Sequence, residues 1–104
     1  MDKATRKLLR RGMREQEREA SLRALPLAIA ELEAMFDHLD AEIPRRGCDH
    51  TRRLTKAWLA ANGHDAEPVL TWLDAHAGNC DCMVVMNATQ ELERAKSALG
   101  TLPD

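Results

Sequence analysis

The sequence predicts an all-α protein, a small bundle of about four helices preceded by a basic N-terminal helical arm. Three observations predict it. Apolar residues recur at spacings of three and four along most of the chain, as amphipathic helices require. Alanine, leucine, glutamate and arginine dominate while β-branched residues are scarce, a balance that favours helix over sheet. No alternating stretch of convincing length reads as a strand. At 104 residues such a chain buries only about 60–65% of the surface its unfolded form exposes.

The arm comprises residues 1–25 and the helical domain residues 26–100. From Lys3 to about Ala24 the chain is rich in helix formers, but its apolar stripe of Leu8, Leu9, Met13, Ala20 and Leu22 is thin. A helix that gains so little from burial is marginal alone, so an exposed or partner-packed arm is expected. It carries eight Lys/Arg against four acids, whereas the rest of the chain carries seven against thirteen. A solvated helix, or an arm docked on an acidic body, explains that asymmetry. Nucleic acid is disfavoured as a partner, because the arm has no aromatic residue to stack on bases and interleaves acids with its basic residues.

Pro26 separates the arm from the next helix, since the residue before a proline is steered away from helix. Ile29, Leu32, Met35, Phe36, Leu39 and Ile43 then form one buried face, predicted to end near Glu42 before Pro44. Asp49 is positioned to cap the following helix, with Leu54, Ala57, Trp58 and Ala61 inward and Arg52, Arg53 and Lys56 outward. Asn62-Gly63 ends it, the glycine supplying a left-handed position. Asp65 caps the next helix, whose inner face is Val69, Leu70, Trp72 and Leu73, closed by His76, Ala77 and Gly78. Asp81 is read as the cap of the last helix, with Val84, Val85, Ala88, Leu92, Ala95 and Leu99 inward. Asn87 and Gln90 have capping-box spacing, which marks a break near residue 87. Gly100 and Pro103 end the fold.

Two short words carry the chemistry: Cys48-Asp49-His50 and Cys80-Asp81-Cys82. All three cysteines of the chain lie in them, and each stands just before a predicted helix. Three sulfurs and one imidazole form the donor set of a closed, tetrahedral structural zinc site. A thiolate binds metal where a thiol barely does, and the N-terminus of a helix favours thiolate. The 29 residues between His50 and Cys80 read as a helical hairpin, which returns the chain to its start and brings the two words together. The expected ligands are therefore Cys48, His50, Cys80 and Cys82, stapling the bundle around Zn2+, with Cu+ as the alternative. Met83 and Met86 would suit copper(I), but at helical spacing beside Val84 and Val85 they read as packing. Asp49 and Asp81 fit as caps or as supporting acceptors. His38, His64 and His76 read as ordinary histidines, solvated, in a turn and at a helix C-terminus respectively.

The words Cys48-Asp49-His50-Thr51 and Cys80-Asp81-Cys82, with Arg53-Leu54-Thr55, Trp58-Leu59, Val69-Leu70, Trp72-Leu73, Gly78 and Asn87 between and after them, resemble the bacterial family known as domain of unknown function 2695. The resemblance covers about residues 27–88, since Leu32, Phe36 and Leu39-Asp40 match its lead-in helix. It implies a compact, metal-binding-like helical domain and brings no established activity. The chain departs from the pattern at Met83, where the family has an acid, and at Asn79, where it has an aromatic residue.

The function expected is that of a small cytoplasmic zinc-binding protein, its metal structural, acting as an interaction or regulatory module. Its partner is an unidentified protein or a second copy docked through the N-terminal arm. Three cysteines, an odd count, suit metal thiolates in a reducing compartment. No stretch approaches a membrane span, and the N-terminus lacks a secretory signal. One alternative is metal handling or thiol redox sensing. Another is a zinc-dependent hydrolase, although no H-E-x-x-H word, nucleophile motif or phosphate loop supports one. The balance leans away from an enzyme.

Overall fold

Leu32, Met35, Phe36 and Leu39 occupy the centre of the molecule, each almost wholly withdrawn from water. They belong to α2 (Ile29–Arg46), one of six helices in a computed structural model that describes residues 3–99, and the side chains of all of these but 7–11. The side chains of Lys7, Leu8, Leu9, Arg10 and Arg11, and the expected terminators Gly100 and Pro103, lie outside the described residues. Among the described residues there is no strand. No helix there is long and apolar enough to cross a membrane.

The all-α expectation is therefore met, with six helices rather than an arm and four. The remaining helices are α1 (Lys3–Arg23), α3 (Arg53–Ala61), α4 (Ala66–Ala75), α5 (Asp81–Met83) and α6 (Thr89–Ser97). A single wide π-helical turn, Val84–Ala88, joins α5 to α6 without a break. The interruption expected near residue 87 is thus a change of winding. Side chains support it: the Thr89 hydroxyl donates to the Val85 carbonyl at 2.6 Å and the Gln90 amide to that of Met86 at 3.2 Å.

Around the α2 face pack Leu54 and Leu59 of α3, Val69, Trp72 and Leu73 of α4, and Val84, Ala88 and Leu92 of the last rod. Three predicted faces need correction. On α3 the buried residues are Leu54, Thr55 and Leu59, while Ala57 and Ala61 are exposed and Trp58 is half-buried. At the C-terminal end Ala98 is buried and Leu99 exposed. On α1 the inward face runs through Gly12, Glu15, Arg18 and Leu22, and Met13 points to solvent. α1 lies along α6, which withdraws this face from water and leaves Lys3–Arg6 exposed. The molecule is long, 55 × 27 × 22 Å with a radius of gyration of 16.3 Å, against about 13 Å for a compact chain of this length.

α2 also outruns its prediction. It continues through Pro44 to Arg46, where Gly47 (φ 73°) turns the chain away and donates its N–H to the Ile43 carbonyl. Glu42 pairs with Arg46 at 2.7 Å and with Arg45 at 3.7 Å across this last turn.

Helices α3 and α4 end alike. At the end of α3, Gly63 (φ 72°) takes the left-handed position and His64 N–H reaches back to the Leu59 carbonyl at 2.9 Å. At the end of α4, Ala77 (φ 58°) takes it, and Gly78 N–H reaches the Leu73 carbonyl at 2.8 Å. Both are Schellman closures. The antiparallel hairpin they build carries the chain from the first cysteine word back to the second.

Candidate metal centre

Asp81 fastens the two words together. Its backbone N–H donates to the Thr51 carbonyl at 3.0 Å. Its carboxylate, fully buried, accepts from Leu54 N–H and Thr55 N–H at 3.0 Å each, and from the Thr55 hydroxyl at 2.8 Å. These are the N–H groups that the first turn of α3 leaves without helical partners. Asp81 was expected to cap its own helix; it caps α3 instead, and α5 begins after Cys80 with no side-chain cap. The anionic side chain also sits at the positive end of the α3 dipole, which favours it there.

Asp49, the cap expected for α3, serves the loop before it. Its carboxylate accepts from Thr51 N–H at 3.1 Å and from the Thr51 hydroxyl, and lies 3.6 Å from the Arg53 guanidinium. The Thr51 hydroxyl first, and then the Thr51 N–H, hold this carboxyl below the usual carboxylate range.

Arg52, expected to point outward, is turned in. One guanidinium nitrogen donates to the Leu70 carbonyl at 3.2 Å, to Asp74 at 2.8 Å and to the Gly78 carbonyl at 3.4 Å. It thereby ties the start of α3 to α4 and to the turn before Cys80. That turn is tight: a Cβ on Gly78 would lie 3.2 Å from Leu73 Cβ and 3.3 Å from Val84 Cγ2. Asn87 completes it by donating to the Ala77 carbonyl at 3.0 Å.

This clamp brings the three thiols into one site. Cys80 is buried, Cys48 and Cys82 are half-buried, and all three are free of disulfides. The backbone N–H groups of Cys82 and then His50, and after them the thiols of Cys82 and Cys80, act on the Cys48 thiol. Those donors hold the Cys48 thiol below its ordinary range. Cys82 moves the other way: its bond to Cys48, burial, and the nearby charges of Cys48, Cys80 and Asp81 all push its thiol up. The two thiols are thus pushed in opposite directions.

His50 stands at the rim. Its backbone is left-handed (φ 68°) and its residue is exposed. Among the described residues, no group of three or more His, Cys, Asp or Glu side chains stands in an arrangement that would hold a metal ion. The other histidines lie elsewhere. His38 is exposed on α2, His64 stacks on Trp58 with ring centres 5.6 Å apart, and His76 lies against Trp72 and 3.6 Å from Glu91.

The described geometry stretches from the end of α2 to the π turn. A family model described as "Protein of unknown function (DUF2695)" matches residues 35–87, which contain this span up to the next-to-last residue of the π turn. The chain belongs to the DUF2695 family. The DUF2695 match contains both cysteine words and the hairpin between them, and leaves α1 and all of α6 outside. Similar proteins include the uncharacterized protein Mb2294 of Mycobacterium bovis and the uncharacterized protein Rv2271 of Mycobacterium tuberculosis. Each is 33% identical over 90 residues, covering 86% of this chain and 91% of the relative. No solved structure matches the chain.

Thr55 and Arg52 were not legible as site residues. A buried threonine one turn into a helix, with an aspartate beginning the partner helix, is the signal that would have found the first. Arg52 gave none, since arginine in the first turn of an exposed helix is ordinary.

Proposed function

We propose that this DUF2695 protein is a zinc-binding interaction module, with Cys48, His50, Cys80 and Cys82 holding one Zn2+ as a structural staple. The observation that supports it is the meeting of the two cysteine words at two helix starts that Asp81 locks together. Three thiols and a nearby imidazole fit zinc by donor chemistry, and four protein donors leave no position for water, as in sites that serve structure. His50, at the rim, would supply the fourth donor. Bound zinc would supply charge to hold the sulfurs as thiolates, and a small helical domain gains folding free energy from such a site, about 10 kcal/mol or more in apparent terms. The partner is another protein or a second copy of the chain meeting α1, in the reducing environment of the cytoplasm.

Native mass spectrometry of the protein purified without added metal tests the reading. One zinc per chain, lost together with the compact charge states, supports it. Copper(I) in its place, or a chain that stays compact and metal-free after zinc is supplied, overturns it.

A further inference from the structure

We infer that the exposed face of α1 docks a second copy of the chain, the two α1 helices crossing antiparallel with Met13 of each copy set into the notch at Gly12 of the other. The inference rests on the part of the reading above that has a partner meeting α1. It chooses a second copy as that partner and does not require the metal.

Gly12 lies in the middle of α1, where glycine weakens a helix relative to alanine. Nothing in the described fold asks for it. Among the described residues, a Cβ at Gly12 would meet no atom within 4 Å, whereas one at Gly78 would lie 3.2 Å from Leu73 Cβ. The bare backbone at Gly12 thus leaves a notch that the chain's own packing does not fill. Beside it Met13 is 61% exposed, an unbranched apolar side chain of the kind that fills irregular gaps. Knob and notch adjoin on one helix. A twofold interface needs such a surface, one that is its own complement. Met13, Gln16 and Ala20 share an exposed face at helical spacing. The opposite side, through Glu15, Arg18 and Leu22, is half-buried where α1 lies along α6, so the outer face stays open to a partner.

Charge sets the direction of the crossing. Lys3, Arg6, Lys7, Arg10, Arg11 and Arg14 fill the first part of α1, and its acids Glu15, Glu17 and Glu19 follow. Two such helices laid parallel put like charges opposite each other. Laid antiparallel, they put the basic part of each against the acidic part of the other, which favours association. From a crossing between Gly12 and Met13, Arg6 stands about 10 Å to one side and Glu19 about 10 Å to the other, at the helical rise per residue. Each Arg6 therefore falls opposite Glu19 of the other copy, and both residues are exposed. Within one helix the two are about 20 Å apart and cannot pair. A single helix crossing makes a small interface, so the dimer dissociates on dilution.

The test is sedimentation velocity of the full chain at concentrations from about 1 μM to about 1 mM, with and without a chelator. A species of twice the chain's 11.7 kDa is expected at the high end and the single chain at the low end. Gly12→Leu fills the notch and Met13→Ala removes the knob. Each should raise the dissociation constant about tenfold or more, with helical circular dichroism retained. Arg6→Glu and Glu19→Arg should each weaken the dimer, and the two together in one chain should restore it. Only an antiparallel pair of copies gives that rescue. A chain that stays single throughout, an assembly larger than two, a dimer unmoved by Gly12→Leu or Met13→Ala, or charge reversals without rescue would each overturn the inference. Zinc measured on the same samples separates the two readings. A dimer in protein that never held zinc leaves this inference standing and the zinc reading fallen; a zinc-bound chain that stays single does the reverse.

Discussion

The carboxylate of Asp81 accepts both the backbone N–H of Thr55, at 3.0 Å, and its hydroxyl, at 2.8 Å, with both residues fully buried. This pair joins the N-terminus of one helix to the first residue of another. It also explains why the two cysteine words meet, since Cys80 and Cys82 flank Asp81 and Cys48 precedes the loop that Asp81 holds through Thr51.

Asp81→Ala removes the cap and leaves the Thr55 hydroxyl buried without a partner. A lost cap costs roughly 1–2 kcal/mol and an orphaned buried donor about 1–3. The expected loss is about 2–4 kcal/mol, read as a fall in Tm on the order of 10–20 °C for a domain of this size. Asp81→Asn keeps one acceptor oxygen and should lose less. A melting curve unchanged by Asp81→Ala would show that the clamp does not hold the helix starts.

Ala77 and Gly78 predict effects of opposite sign. Ala77 holds a left-handed backbone (φ 58°), costing roughly 1 kcal/mol that glycine avoids, so Ala77→Gly should raise stability by about 0.5–1 kcal/mol. Gly78→Ala places a methyl 3.2 Å from Leu73 Cβ and 3.3 Å from Val84 Cγ2. Both neighbours are fully buried and have little room to give, so a loss of about 1–3 kcal/mol is expected. Urea denaturation of the two single variants measures both signs; destabilisation by Ala77→Gly would contradict the turn geometry.

In the metal-stripped protein Cys48 and Cys82 should differ in reactivity. Cys48 is held below the ordinary thiol range, chiefly by Cys82 N–H, and Cys82 is pushed above it, chiefly by its bond to Cys48. A lowered thiol favours folding fully above the ordinary thiol pKa, and that contribution fades as pH falls through the lowered value. A raised thiol favours folding below the ordinary value, and that contribution is lost as pH rises through the raised one. Iodoacetamide mapping across neutral to alkaline pH should therefore label Cys48 before Cys82, with the Cys48 rate levelling off at lower pH. The reverse order would contradict the opposite directions in which the two thiols are pushed.

Much of this architecture was legible from spacing. Leu32, Met35, Phe36 and Leu39 fall on one helical face and are buried together, and Asp65 caps α4 by accepting Glu67 N–H at 3.3 Å. Gly63 takes its left-handed turn as glycine allows. What failed depended on partners distant in sequence. Thr55 was not among the residues expected on the inner face, yet Asp81 satisfies its hydroxyl inside the fold and it is buried. Arg52 is drawn inward by the Leu70 and Gly78 carbonyls, acceptors that exist only once the hairpin has closed. The Pro44 boundary failed because a proline in the last turn removes a single helical hydrogen bond, and Gly47 N–H still closes the helix on the Ile43 carbonyl. In the site, the exposed rim position of His50 goes with a left-handed backbone (φ 68°) that no spacing rule announces.

Zinc-edge X-ray absorption on the protein as purified, with His50→Ala alongside, tests the central claim most directly. The account predicts a shell of three sulfurs at about 2.3 Å and one nitrogen at about 2.0 Å, with the nitrogen signal lost or replaced by oxygen in His50→Ala. A shell of nitrogen and oxygen alone, or a protein that takes up no zinc, would contradict it.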